Sequence, residues 1–206
     1  MRTWFNRSCL PAKAWAGMAL AALVALSLVK APADARPSSG KPADPAVAFM
    51  EQVARDLLAG ARTQSPILLS NAVKRYGDVN YIGSYSLGTY RAKLSQADRP
   101  IYLNGMVRFI GRYAATQVPK YPVVKYELMS PSIQGGSGIM VDSKITLRDG
   151  SQYDVRWLLV KVGNTYRVRD AMVSGLWITP LLKQLFEPYI GEQGGDVKAL
   201  VVVLNR

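Results

Sequence analysis

The stretch from position 139 to 172 alternates apolar and polar residues with a period of two, the spacing of a half-buried β-strand. Its apolar positions are Ile139, Val141, Ile145, Leu147, Tyr153, Val155, Trp157, Leu159, Tyr166, Val168 and Met172. Asp149-Gly150 and Gly163-Asn164 interrupt the alternation with residues that favour tight turns. The pattern predicts a three-stranded antiparallel meander with one apolar and one charged face, and a strand over 123–129 is expected to join the same sheet.

Segments before and after this meander carry helical spacing instead. Asp44 followed by Pro45 is typical of an N-cap and a first helical residue, and apolar residues then recur at helical intervals up to Ala61. Further helices are predicted over 67–76 and 97–117, the second capped by either Ser95 or Asp98. A last helical region follows the meander. This order predicts an α+β fold in which helices pack on one face of an antiparallel meander sheet.

The first 33 positions have the composition of a secretory signal peptide. Three basic residues precede an apolar run over 14–29, and Ala31-Pro32-Ala33 then supplies small residues for cleavage, with Ala33-Asp34-Ala35 as an alternative site. A retained membrane anchor is the competing interpretation, although the run is short for a bilayer span. We therefore predict a signal peptide over 1–33, a flexible leader over 34–44, a single domain over 45–206 and a periplasmic location.

Composition restricts the chemistry that the chain can perform. It has no histidine, and Cys9, its one cysteine, lies in the predicted signal peptide, so histidine-assisted nucleophilic catalysis and the common zinc ligand sets are excluded. We expect no catalytic residue, metal or cofactor, and hence no enzyme. The alternative is an α+β enzyme with Asp142 or Asp154 as a base, since both are expected on the charged face of neighbouring strands.

The charge balance is basic. Four of the 26 Lys and Arg residues and none of the 14 acidic residues lie in the first 33 positions, so the remainder carries a net charge of +8. Such a balance favours transient contact with an anionic membrane surface, and an ordinary solvated surface is the alternative. The cations expected on the polar sheet face are Lys144, Arg148, Arg156, Arg167 and Arg169.

The final quarter of the chain holds an ordered combination of residues: Tyr166, Asp170, Val173, Gly175, Thr179, Gln184, Phe186, Gly194, Gly195, Asp196 and Leu200. This combination resembles the C-terminal pattern of the MlaC (toluene-tolerance) family of periplasmic phospholipid-binding proteins. Ser174 stands where the family has an acidic turn residue, and Leu185 separates Gln184 from Phe186. A Tyr- and Gly-containing segment over 82–90, followed by an aromatic-rich helix, is also similar to the family.

The resemblance implies a non-enzymatic carrier that holds the acyl tails of a phospholipid in a lipid-sized apolar cavity between sheet and helices. It also implies shuttling between an outer-membrane lipoprotein complex and the periplasm-facing subunit of an inner-membrane ABC transporter, which maintains outer-membrane lipid asymmetry. The family includes hopanoid-associated, HpnM-like relatives, so a hopanoid is the alternative cargo. A structural accessory protein with a filled core is a further alternative, and nucleic acid is not an expected partner.

On this interpretation large apolar and aromatic side chains from both layers contact the lipid, although for each of them ordinary core packing is the alternative. Trp177 and Pro180 are expected at the cavity entrance. The predicted lipid-binding residues are Tyr85, Leu87, Phe109, Ile110, Tyr113, Tyr126, Tyr153, Val155, Trp157, Val168, Met172, Leu176, Trp177, Leu181, Leu182, Leu185 and Phe186.

Overall fold

The computed structural model describes residues 44–206. The predicted signal peptide and all of the predicted leader except Asp44 lie outside the described residues. Helix α1 (Pro45–Arg62) begins as predicted: Pro45 is its first residue, and the Asp44 carboxylate accepts the N–H groups of Ala46 and Val47. Because first-turn N–H groups have no partner inside the helix, this cap stabilises the point where the fold starts.

Five further helices and two 3₁₀ turns complete the helical part of residues 44–206. They are α2 (Pro66–Tyr76), α3 (Val79–Ser86), a 3₁₀ turn (Gly88–Lys93), α4 (Arg99–Gln117), a second 3₁₀ turn (Val118–Lys120), α5 (Ile178–Glu192) and α6 (Val197–Leu204). Helix α4 begins two residues later than predicted, after a turn in which Ser95 and Asp98 bond to each other. Gly111 permits the close crossing of α4 and α2, since a Cβ there would lie 2.1 Å from the Ser70 hydroxyl oxygen.

Six strands form one antiparallel sheet, and the meander predicted from the alternation is its centre. The strands are β1 (Val123–Leu128), β2 (Ile133–Gly135), β3 (Gly138–Leu147), β4 (Gln152–Val162), β5 (Thr165–Val173) and β6 (Leu176–Trp177). Their order is β1-β3-β4-β5-β6, and β2 pairs with the same edge of β3 as β1 does. Gly150 and Gly163 adopt the positive φ angles that their turns require. The predicted fold class is therefore confirmed.

The predicted assignment of β5 side chains to the two faces of the sheet is correct up to Val168 and wrong beyond it. Val168 pairs with Leu159 and Asp170 with Leu158, so one extra residue is inserted at Arg169 as a β-bulge. Since successive side chains alternate between faces, the insertion exchanges the faces of all later residues. Ala171 is therefore buried under the helices, whereas Met172 lies on the outer face opposite Arg156.

Buried apolar side chains form two clusters. One lies between the sheet and α1, α2 and the end of α4, and it includes Met50, Val141, Trp157 and Leu159. The other lies among α4, α5 and α6, and it includes Tyr102, Phe186 and Leu200. The domain therefore has a sheet–helix layer and a separate all-helical layer, which meet along α4 and α5.

Candidate functional site

An apolar cavity of about 110 Å³ lies between the sheet and the helices. Its lining is apolar except for Tyr76, Asp170 and Thr179, and α1 to α5 and the strands β4 and β5 all contribute to it. The lining residues are Val53, Leu57, Ala72, Val73, Tyr76, Gly77, Ile82, Ile110, Trp157, Val168, Asp170, Ala171, Ile178, Thr179 and Leu182. A cavity with this lining favours an apolar group over water, because water needs several polar partners.

A smaller cavity of about 30 Å³ lies beside the first, under Tyr126. Leu57 and Trp157 line both cavities, so these two side chains form the partition between them. The Trp157 ring is held by a 3.0 Å hydrogen bond that its indole N–H donates to the Ser143 hydroxyl. Both cavities are much smaller than the roughly 300–1,000 Å³ of a typical ligand pocket, so the lipid-sized cavity predicted from the sequence is not open in this structure.

Polar contacts join the helices to the sheet on both sides of the cavities. On the β1 side, the Tyr126 hydroxyl donates to the Glu51 carboxylate at 3.2 Å, and the Ser132 N–H donates to Asp44 at 2.7 Å. On the β5 side, the Asp78 N–H donates to the Val168 carbonyl at 2.8 Å. The helical layer is therefore joined to the sheet on both sides of the cavities.

The β5 side is fastened further by an ion pair. The Arg169 guanidinium donates to one Asp78 oxygen from both Nε and Nη2, at 3.1 and 2.9 Å, and it also covers the ring of Tyr81. On the β1 side the Tyr126–Glu51 and Ser132–Asp44 hydrogen bonds join the layers, and within residues 44–206 no ion pair is added to them, so the β1 side is the weaker of the two.

Asp170 is the one acidic residue in the cavity wall. Its Oδ1 accepts the N–H groups of Ala171 at 2.8 Å and Thr179 at 2.9 Å, so a strand residue caps helix α5. Trp177, at the cap position of α5, makes no side-chain cap bond. Burial raises the pKa of Asp170 above its usual value, although the donated N–H groups act in the opposite direction.

Five predicted lipid-binding residues line a cavity. Ile110, Val168 and Leu182 line the larger one, Tyr126 lines the smaller one, and Trp157 lines both. Ten others lie elsewhere. Those packed in or against the two cores outside the lining are Leu87, Phe109, Tyr153, Val155, Leu181, Leu185 and Phe186; those at the surface are Tyr85, Leu176 and Met172.

The last two predicted residues are also outside the lining. Tyr113 is half-buried and stacks on Phe109. Trp177 pairs with Met172 and so shares the outer face of the sheet. Phe186 packs against Phe109 in the helical cluster, which explains why the aromatic residues of α4 and α5 do not reach the cavity.

The lining residues that helices α1 to α3 supply are not among the predicted lipid-binding residues. They include Val53, Leu57, Ala72 and Ile82. Their spacing is that of ordinary core residues, and no local pattern distinguishes a residue that faces a cavity from one that faces a filled core.

Two of the arginines on the sheet are paired with carboxylates. Arg156 forms a bidentate ion pair with Asp142 at 2.7 and 2.8 Å, which lowers the pKa of the Asp142 carboxyl. Arg169 is paired with Asp78, and Arg167 donates to the Arg75 carbonyl oxygen. A carboxylate held in this way is a poor general base, which counts against the alternative of an Asp142-dependent enzyme.

An antiparallel sheet closed on one face by helices, with an apolar cavity between the layers, defines a small α+β protein with room for an apolar group. The chain belongs to the MlaC protein family, whose pattern matches residues 49–206. A phospholipid-binding protein from Ralstonia solanacearum, solved in complex with a phospholipid, shares its fold with a TM-score of 0.59 and 19% sequence identity. That similarity covers 79% of this chain and 96% of the other. No curated protein sequence matches this chain significantly.

Within residues 44–206, none of the helices is long and apolar enough to cross a bilayer. Within that part of the chain, no group of three or more Cys, Asp or Glu side chains is arranged to hold a metal ion.

Proposed function

We propose that this protein is a periplasmic phospholipid carrier that binds acyl chains between its sheet and its helices. The observation that carries the proposal is the pair of apolar cavities between the layers, which share Leu57 and Trp157 in their walls. Membership of the MlaC family and a fold shared with a phospholipid-bound protein support it.

Loading requires the two layers to separate, because about 110 Å³ cannot hold two acyl chains. Burying roughly 30 methylenes recovers more than about 20 kcal/mol relative to water, at ~0.8 kcal/mol each. A bilayer recovers a similar amount, so transfer between carrier and membrane is close to balanced. Direction must then come from the partners rather than from the affinity of the carrier.

The partners in this proposal are an outer-membrane lipoprotein complex and the periplasm-facing subunit of an inner-membrane ABC transporter. The carrier contacts each transiently, contributes no catalytic step, and thereby maintains the lipid asymmetry of the outer membrane. An amino-terminal region with the composition of a signal peptide supports export.

Native mass spectrometry of the processed protein, purified without detergent, tests the proposal. We expect a one-to-one adduct with the mass of a diacyl phospholipid, identified in the organic extract of the same sample. An adduct with the mass of a hopanoid would mean that the protein is a carrier whose cargo is a hopanoid and not a phospholipid. An unliganded mass that persists after incubation with phospholipid vesicles would refute the proposal.

A further inference from the structure

A second pocket, of about 70 Å³, lies where α3 ends and α4 begins. We call it the arginine pocket. Its wall is made by Ser84, Leu87, Arg91, Leu94, Ser95, Gln96, Arg99, Tyr102 and Leu103. It shares no lining residue with the apolar cavity described above, so it is a separate site.

Two exposed arginines line this pocket. Arg91 comes from the first 3₁₀ turn and Arg99 from the first turn of α4, and neither guanidinium has a hydrogen-bond or ion-pair partner within residues 44–206. On the sheet, by contrast, Arg156 and Arg169 are both paired with carboxylates. Two like charges lining one small pocket repel each other, and a bound anion would relieve that repulsion.

The neutral polar groups of the pocket also suit an anion. The Ser84 hydroxyl and the Gln96 amide have no protein partner in the described residues, so both can donate to a ligand. The Ser95 hydroxyl is already engaged, because it donates to the Asp98 carboxylate at 2.7 Å and accepts the Asp98 N–H at 3.0 Å. The carboxylate and the backbone N–H of Asp98, which lies beside the wall, are thus both bonded to the Ser95 hydroxyl.

The turn that carries Arg91 is fixed by the other end of the helical layer. The Glu187 carboxylate accepts the N–H of Thr89 at 2.7 Å and its hydroxyl at 2.8 Å. Gly88 allows this approach, since its φ is +55° and a Cβ there would lie 2.3 Å from the Glu187 oxygen. The backbone turn that carries Arg91 is therefore held by Glu187 whether or not a ligand is bound.

We propose that the arginine pocket binds a phosphate group, and that this binding is independent of the acyl-chain site. With two arginines, the Ser84 hydroxyl and the Gln96 amide in its wall, the pocket offers hydrogen-bond donors to a tetrahedral oxyanion. Guanidinium groups match phosphate oxygens in pairs of parallel hydrogen bonds. The phosphate can come from solution or from a phospholipid headgroup at a bilayer surface.

The test compares two double variants that remove the same charge. Arg91→Gln with Arg99→Gln removes the cations of the pocket, whereas Arg55→Gln with Lys161→Gln removes two exposed cations elsewhere. Inorganic phosphate is titrated while the arginine side-chain N–H resonances are followed by NMR, with acetate as the competing anion. Flotation with phosphatidylglycerol vesicles measures binding to the phosphate of a lipid headgroup. Native mass spectrometry checks that each variant retains its acyl cargo.

We expect the pocket variant to weaken phosphate binding at least tenfold, and the matched control to leave it unchanged. A loss of vesicle binding confined to the pocket variant, with or without a response to free phosphate, would identify a headgroup as the source. Equal behaviour of the two variants in both assays, or acetate binding as tightly as phosphate, would overturn the proposal. If the pocket variant retains its acyl cargo, a loss of phosphate binding tests the arginine pocket alone and leaves the carrier proposal unaffected.

Discussion

At the scale of single residues, Asp170 and Trp157 control the cavity in different ways. Asp170 places a carboxylate in an apolar wall and holds the first turn of α5. Trp157 divides the space between sheet and helices, and its indole N–H is bonded to Ser143. The first residue places a titratable group in the cavity wall, and the second lines both cavities.

The stability of the protein should report the titration of Asp170. Because its pKa is raised in the folded state, the native protein holds the proton at pH values where the unfolded chain has lost it. The free energy of unfolding of the wild type should therefore fall relative to that of Asp170→Asn as the pH rises from about 4, and the difference should level off above the folded-state pKa. Urea unfolding at a series of pH values measures this difference.

Asp142→Asn is the control of opposite sign. The ion pair with Arg156 lowers the pKa of Asp142, so its stabilising contribution is present at neutral pH and is lost as the pH falls. If both variants give the same slope against pH, the assignment of the raised pKa to burial of Asp170 is wrong.

Trp157 should act as a reporter of bound acyl chains. In Trp177→Phe, Trp157 is the one tryptophan left outside the predicted signal peptide, and it faces both cavities. A phospholipid with brominated acyl chains should quench most of its fluorescence. In Trp157→Phe, the remaining Trp177 lies on the outer sheet face and should be quenched little. Equal quenching in the two variants would place the acyl chains elsewhere.

At the scale of elements, the contact between α1 and β1 decides how readily the layers separate. The Tyr126–Glu51 hydrogen bond joins them across the mouth of the smaller cavity, whereas α3 is joined to β5 by a backbone bond and an ion pair. The two sides therefore differ in strength, and opening is expected on the β1 side.

Removing the Tyr126–Glu51 hydrogen bond should speed lipid exchange. Tyr126→Phe deletes one hydrogen bond to a carboxylate, worth about 1.5 kcal/mol, which corresponds to an increase of roughly tenfold in exchange rate if the bond is broken during opening. Transfer of a fluorescent phospholipid from the loaded protein to vesicles measures the rate. Tyr85→Phe is the control, since that exposed hydroxyl bonds to nothing within residues 44–206. An unchanged rate in Tyr126→Phe would indicate that the layers separate elsewhere.

At the scale of the whole molecule, cargo and fold stability are linked. A ligand that binds only the folded state stabilises it by about 2.7 kcal/mol when its concentration is 100 times its Kd. For a domain of this size, that corresponds to a shift in Tm of roughly 5–10 °C. The chain outside the predicted signal peptide has no cysteine, so unfolding in denaturant can strip the lipid without disturbing disulfides.

Stripped and refolded protein should therefore melt at a lower temperature than protein purified with its cargo. Differential scanning calorimetry measures both, and adding diacyl phospholipid should restore the higher Tm. The control adds the same headgroup without acyl chains to both samples and should leave the difference between their Tm values in place. Identical melting of the stripped and purified samples would mean that no stabilising cargo had been present.

The sequence alone determined the elements that depend on neighbouring residues. The strand alternation, the turns at Gly150 and Gly163 and the cap at Asp44 each express chemistry within a few positions of chain. The family resemblance added the architecture. Local rules could also place Ile110, Trp157 and Leu182 on apolar faces, and these are among the predicted residues that do line the cavity.

Only the tertiary structure decided which apolar faces meet. The bulge at Arg169 depends on pairing with β4, and it moved Met172 to the outer face and Ala171 to the inner one. The Tyr126–Glu51 hydrogen bond joins residues 75 positions apart. Packing of Phe186 on Phe109 kept the aromatic residues of α4 and α5 in a core of their own. Such contacts depend on how whole elements are arranged in space, and that information is absent from any local pattern of residues.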